Sequence, residues 1–469
     1  MNSILQNDLT NLETVLQLTK EYGVDFLKSI NSRPTSTKEN NIELENKLSI
    51  DGIGAEASLA EFIQRFESII VSSTGPRYLG FVTGGSTPAA IVGDWLATIF
   101  DQNSQTVKGQ GDISANIEFE TIQLLLDLFN LPKDFLGGFV TGATMSNFTC
   151  LAVAKQWFGN QLGKDFAKDG ISEKVTVFSA TAHSSSIKSL SMLGIGSNNL
   201  IKIKTLEGNR EAIDIEDLEQ KIQELNTKPF ILISSAGTVN TVDFDDFEAI
   251  SKLKEKYNFW WHIDAAFGAF ASCSSDFKHL LHGWENADSI TVDGHKWLNV
   301  PYDNAFFFVK EQHKLLQIET FQNTNAPYLG DPLDNFNYLN FLPENSRRLR
   351  ALPVWFTLKA YGKKGYQEIV DNSIHLTQQL GQFIEQNNHL ELLAPVRLNT
   401  VCFSLVGDEN QEKVAQFLSN INDSGKVFMT PTVYNNKKGI RAAFVNWRTT
   451  ETDLEIVKEV ILDKLSLIK

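Results

Sequence analysis

Apolar residues recur at helical spacing over residues 5–30, at Leu9, Leu12, Val15, Leu16, Leu18 and Tyr22, which predicts an amphipathic helical start. The polar run NSRPTSTKENN at 31–41 reads as a loop, and a second helix is predicted over 59–70. These helices have no evident core of their own, so they are expected to pack on the rest of the chain or on a second copy of it. From about 135 to 310 the pattern changes to short apolar runs. GGFVTG (137–142), KVTVFSA (174–180), IKIKT (201–205), PFILISSAG (229–237), FWWHIDAA (259–266), SITVDG (289–294) and NAFFFVK (304–310) read as strands. Helical patterns lie between several of them, at 145–158, 184–193, 215–225 and 246–257. Such alternation predicts an α/β fold with a mostly parallel sheet covered by helices on both faces. Ligands in such sheets sit at the carboxyl ends of strands.

Beyond about 348 the pattern changes again, to a long helix over 352–387, strands at 401–406, 427–431 and 440–445, and a closing helix at 452–468. The expected division is an N-terminal helical segment (1–75), a large α/β domain (76–347) and a small C-terminal α+β domain (348–469). No internal repeat is present.

Composition narrows the function classes. Acidic residues number 57 against 42 basic ones, a net charge of −15, which repels phosphate backbones and disfavours a nucleic-acid partner in the absence of a segregated basic face. Cys150, Cys273 and Cys402 are odd in number and far apart, fitting neither a disulfide framework nor a metal knuckle. The eight histidines show no HExxH or paired ligand spacing, so no metal is expected. The N-terminus lacks the basic and apolar regions of a signal peptide. No apolar run approaches the length of a membrane span. A cytoplasmic enzyme is the expectation.

Four loops that follow predicted strands hold candidate chemistry. TGATMSNF (141–148) leads small residues into a helix start, where backbone N–H groups and the helix dipole favour phosphate; it also reads as an ordinary turn. His183, in SATAHSSSIKS, is an acid–base group, a stacking ring or a structural residue. Asp264 ends FWWHIDAAFGAF, and a carboxylate among aromatic bulk calls for a cationic partner; otherwise it caps the next turn. Lys296, in DGHKW, lies beside aromatic and apolar residues that would desolvate its amine and free it as a nucleophile; a solvated lysine is the plainer reading. Together, a phosphate cradle, an imidazole, a carboxylate and a reactive lysine are what pyridoxal 5′-phosphate requires.

TGATMSNF, TAHSSSIKS, SAGTVNTVDFDD, WHIDAAFG and DGHKWLNVPYD resemble the motifs of the group II pyridoxal-phosphate-dependent amino-acid decarboxylases, among them aromatic-L-amino-acid decarboxylase. The resemblance runs from PRYLGF (76–81) through SRRLRALPVWFTLKAYGKKG (346–365). It implies the fold of the type I aminotransferases, with a seven-stranded sheet, and a homodimer whose N-terminal helices embrace the partner subunit. It implies Lys296 as the Schiff-base lysine, Asp264 as the pyridinium partner, His183 and Ala266 on opposite faces of the ring, and Ala143, Thr144 and His295 near the phosphate. Thr238 lies in a loop expected to approach the cofactor. Tyr328, in APYLG, matches a mobile-loop tyrosine that returns a proton to the substrate α-carbon; phenylalanine there accompanies aldehyde synthesis.

The substrate side is less uniform. Tyr78, Leu79 and Phe81 offer an apolar wall, with Thr83 close by in sequence. The stretch 101–118 is expected to reach the partner's site, and it carries Thr106, Val107, Lys108 and Gln110 where aromatic-specific members are more apolar. Lys108 suits an acidic side chain. The stretch 328–347 is shorter than the mobile loop of the animal enzymes. The resulting expectation is decarboxylation of an L-amino acid, aromatic or otherwise, to its amine. An aldehyde synthase or aminotransferase on the same fold, or a non-catalytic scaffold, stands as the alternative.

Overall fold

The computed structural model describes residues 1–38, 45–105, 112–322, 336–408 and 411–468. The chain opens with α1 (Ser3–Thr10), α2 (Leu12–Lys28) and α3 (Ala55–Phe66), none of which buries a residue. Two helices follow, α4 (Pro88–Phe100) and α5 (Ser114–Leu128). Thr87 caps α4 through its hydroxyl, and Pro88 occupies the first turn, where its missing N–H costs nothing.

The central layer then alternates strand and helix: β1 (Phe135–Val140), α6 (Ala143–Gln161), β2 (Val177–Ser179), α7 (Ser184–Met192), β3 (Leu200–Lys202), α8 (Ile215–Glu224), β4 (Ile231–Ser235), α9 (Phe247–Lys256), β5 (Trp260–Asp264), β6 (Ser289–Asp293), β7 (Ala305–Lys310) and α10 (Lys314–Phe321). The seven strands form one sheet in the order β1-β7-β6-β5-β4-β2-β3. Only β7 runs against its neighbours. Every residue of β4, β5 and β6 is buried, as expected of parallel strands covered on both faces. All seven predicted strands are present in this sheet.

α11 (Ala351–Glu385) is predicted as one helix but is interrupted at Gly362, which takes φ 59°. Its first part joins the core under the seven-stranded sheet through Leu352, Val354 and Leu358. Its last turns, with Leu376, Leu380 and Ile384, join a second core. That core is completed by β8 (Leu390–Leu392), β9 (Thr400–Leu405), α12 (Lys413–Asn422), β10 (Thr430–Tyr434), β11 (Lys437–Ala443) and α13 (Glu451–Leu465). The four strands make an antiparallel sheet in the order β10-β11-β9-β8.

One predicted strand is misplaced: the run 427–431 gives way to β10, three residues later. Val427 and Met429 are buried in the second core, and Phe428 pairs instead with the 77–79 segment, accepting from Leu79 N–H at 2.8 Å. Among the described residues no helix is long and apolar enough to cross a membrane, and all three cysteines are free.

Candidate active site

Because β4, β5 and β6 run in parallel and adjacent, their carboxyl ends meet at one edge. Asp264 at the end of β5 is in register with Ser235 of β4 and Thr291 of β6. These ends, with the start of α6, enclose a cavity of about 520 Å³. Lys296, Asp264, His183 and Thr238 line it, as do Ala143, Thr144, Ala266, His295 and Phe81.

Asp264 is held by the protein from three directions. Asn147 Nδ2 donates to Oδ2 at 3.0 Å, Ser186 Oγ donates to the same oxygen at 3.3 Å, and Ala266 N–H donates to Oδ1 at 3.2 Å. Asn147 lies on the second turn of α6 and is wholly buried, so the helix that starts at the cavity also sets the carboxylate. Its amide also donates to Ser185 Oγ at 3.0 Å.

His183 caps α7: its Nδ1 accepts from Ser185 N–H at 3.2 Å and lies 2.7 Å from Ser185 Oγ. With Nδ1 an acceptor, the ring proton is assigned to Nε2. Burial draws the imidazole below its ordinary pKa, against the pull of Asp264, so the neutral Nε2–H form is favoured. His295 is drawn down the same way, with Asp293 opposing. Its ring stacks on Tyr302 at 4.1 Å, and its Nδ1 is buried without a partner among the described residues.

Lys296 Nζ lies 3.0 Å from Asp293 Oδ2 and 5.3 Å above the Phe267 ring. The other oxygen of Asp293 accepts the first N–H of α6, from Ala143, at 2.7 Å. Asp293 therefore ties the lysine to the helix start.

Thr238 reaches the cavity, yet its hydroxyl is committed elsewhere. It donates to Glu211 Oε2 at 2.5 Å and accepts from Asp243 N–H at 3.0 Å. Phe81 and Val82 line the cavity with φ of 57° and 58°, a left-handed backbone unusual for a β-branched valine.

The expected apolar wall is only partly there. Tyr78 stacks on Phe428 at 4.6 Å, and Leu79 is buried in the core of the four-stranded sheet. Backbone pairing of 77–79 with Phe428 and Ala443 turns both away, leaving Phe81. Thr83 does not line the cavity; its hydroxyl lies 3.3 Å from Tyr302 OH. Lys108 and Tyr328 fall outside the described residues. Glu118, at the end of the 101–118 stretch, is fully buried in an ion pair with Arg347 at 2.5 Å.

The sequence reading missed Arg441, which enters the cavity from β11. Its Nη1 donates to Val239 O at 3.2 Å, and its Nε is buried without a partner among the described residues. Burial lowers its pKa from the ordinary guanidinium value. A charged residue within the apolar strand run GIRAAFV was the available signal.

The pyridoxal-dependent decarboxylase conserved domain matches residues 41–406. The chain is 30% identical over 456 residues to an aromatic-L-amino-acid decarboxylase of Bacillus atrophaeus, covering 93% of this chain and 92% of that one. It is 28% identical over 396 residues to a phenylacetaldehyde synthase of Petunia hybrida, covering 78% and 76%. Its fold is similar to that of Catharanthus roseus tryptophan decarboxylase in complex with L-tryptophan, with a TM-score of 0.87, 20% identity and coverage of 98% and 99%.

Proposed function

The chain belongs to the pyridoxal-dependent decarboxylase family, whose members are pyridoxal-phosphate-dependent carboxy-lyases, and on that premise we propose that it converts an L-amino acid to its amine and CO2. The observation that carries this reading is the convergence of Lys296, Asp264, His183 and the start of α6 on one cavity.

The residues present fit the cofactor. A helix start offers N–H groups to a phosphate, with the unpartnered Nδ1 of His295 beside it. Ala143, Thr144 and His295 would take the phosphate, Lys296 would hold the cofactor through its amine, and Asp264 would face the ring nitrogen. His183 and Ala266 would bound the ring, with Thr238 near its edge. When bound, pyridoxal phosphate supplies an electron sink for the pair released as CO2 leaves.

The protein's part is binding, orientation and proton placement. Three donors hold Asp264 in position, so its negative charge is preorganised. Arg441 offers Nε and a neighbouring amino group to the substrate carboxylate, a fork suited to bidentate pairing. His183 presents Nε2–H as a neutral donor. Tyr328 would deliver a proton to the α-carbon. Phe81 and Lys108 would meet the side chain, and the relatives' names together with Phe81 favour an aromatic one. The unburied helices α1–α3 support a homodimer.

The test is CO2 release by purified, cofactor-loaded protein against a panel of L-amino acids, with amine and aldehyde both quantified. Amine in step with CO2 is expected. Lys296→Ala should abolish the visible absorption of the bound cofactor, and Tyr328→Phe should divert product to aldehyde. A visible band without CO2 would overturn decarboxylation and favour amino transfer.

A further inference from the structure

The turn that follows β4, residues 237–241, faces the cavity with Gly237, Thr238 and Val239. It is clamped from two sides. On one side Glu211 Oε2 accepts from the hydroxyls of Thr238 and Thr241, at 2.5 and 2.6 Å, which fixes the turn to the seven-stranded layer. On the other side Asn240 locks it to the four-stranded sheet. Thr432 Oγ1 donates to Asn240 Oδ1 at 2.6 Å, Asn240 Nδ2 donates to Val433 O at 3.2 Å, and the Cys402 thiol donates to Asn240 O at 2.9 Å. Burial pushes that thiol up to about 12, so it stays protonated and a donor.

The register of the small sheet makes this arrangement specific. Cys402 on β9 is the direct neighbour of Arg441 on β11. Arg441 Nη1 donates to Val239 O. Two successive carbonyls of the turn are thus held by two neighbouring residues of the sheet that carries the cavity's guanidinium. An arginine side chain has much rotamer freedom to lose, and among the described residues Val239 O is the contact that fixes the end of this one while Nε has no partner.

We infer that Asn240 is a positioning residue: by fastening the 238–241 turn to β9 and β10 it aims the Arg441 guanidinium at the substrate carboxylate. The inference rests on the reading of Arg441 as the carboxylate anchor. Asn240→Ala keeps the Glu211 clamp and is expected to fold.

The test uses the holoenzyme and follows the cofactor's visible absorption on titration with two probes. These are the amino acid turned over fastest in the panel and its α-carboxamide, which lacks the carboxylate charge. The wild type is expected to bind the acid more tightly than the amide. Asn240→Ala and Thr432→Val should each reduce that preference roughly five-fold, the scale of one net hydrogen bond, by weakening the acid while leaving the amide unchanged. Thr432→Ser keeps the hydroxyl and should restore the preference. A preference unchanged in both Asn240→Ala and Thr432→Val would overturn the role of Asn240 and leave Arg441 standing. No preference in the wild type would overturn Arg441 as the anchor, and the inference with it.

Discussion

His262 sits one layer behind the cavity wall, fully buried on β5 between Ser289 and Asn147. Trp260 donates its indole N–H to Ser289 Oγ at 3.0 Å, so that hydroxyl is free to donate to His262 Nδ1, 2.9 Å away. The proton is then on Nε2, which donates to Asn147 Oδ1 at 2.8 Å. The same amide gives its N–H to Asp264, so a neutral His262 orients the carboxylate through Asn147. Burial lowers the imidazole pKa, with Asp264 pulling the other way. The folded chain therefore binds fewer protons than the unfolded chain just below the ordinary histidine pKa, and stability rises with pH there. The contribution is complete above about pH 6.5 and is lost as pH falls through the lowered value. His183 and His295 share the direction. Asp245, whose buried carboxyl is pushed up to about 7, acts in the opposite sense over the same range, so the expected outcome is a difference. Between pH 7 and pH 5 the melting temperature of His262→Asn should fall less, or rise more, than that of the wild type, and superimposable profiles would remove His262 as a contributor. That Lys296, Asp264 and His183 meet at one cavity was legible in sequence because each ends or follows a strand within a short motif. His262 was not, since inside FWWHIDAA it reads as one more strand residue, and Arg441 was not, because the fold alone brings it to the cavity.

Elements were legible where they bury a continuous apolar run, as β4, β5 and β6 do. The helices α4 and α5 were not singled out. α4, PAAIVGDWLATIF, is apolar on most faces: Ala90, Gly93 and Ala97 are buried, while Val92, Trp95 and Ile99 are exposed, so no polar stripe marks a helical period. β10 was misread because it is an edge strand whose exposed positions include Pro431, the place a sheet tolerates proline. Loops that cross closely left no hydrophobic signal, yet they set the site. Gly84 passes over Lys296 so tightly that a β-carbon there would stand 1.9 Å from the Lys296 carbonyl oxygen. Gly268 meets Ala236 O in the same way, at 1.8 Å. Backbone cannot yield as a side-chain tip does, so Gly84→Ala and Gly268→Ala should each lose about 1–3 kcal/mol of stability, measured by chemical unfolding. Gly84→Ala should in addition release cofactor on gel filtration, because the displaced carbonyl belongs to the lysine that would hold it. Full cofactor retention by a destabilised Gly84→Ala would break that link.

For the whole molecule, the decisive feature is exposed apolar surface on the N-terminal helices. Leu5, Leu9, Leu12 and Leu16 on α1 and α2 are at least half exposed. Trp95 and Ile99 on α4 are 46% and 62% exposed, on the face opposite the one packed against α11 at Pro353. These exposed apolar residues are the surface that the homodimer proposed above would cover. α4 joins that surface to the site. Its N-terminal loop is laced to the lysine segment, with Gly85 N–H on Asn299 Oδ1 at 2.9 Å and Thr87 N–H on Asn299 O at 2.9 Å. A double substitution, Trp95→Glu with Ile99→Glu, places charge on the exposed face without touching Ala90, Gly93 or Ala97. It is expected to convert a dimer to a monomer in sedimentation, to leave the far-ultraviolet circular dichroism unchanged, and to reduce CO2 release more than about ten-fold, since a buried charge costs more than the 1.4 kcal/mol that factor represents. A wild type that sediments as a monomer would overturn the homodimer. A double variant that stays dimeric would move the interface away from α4, and the burden of association would then fall on α1–α3.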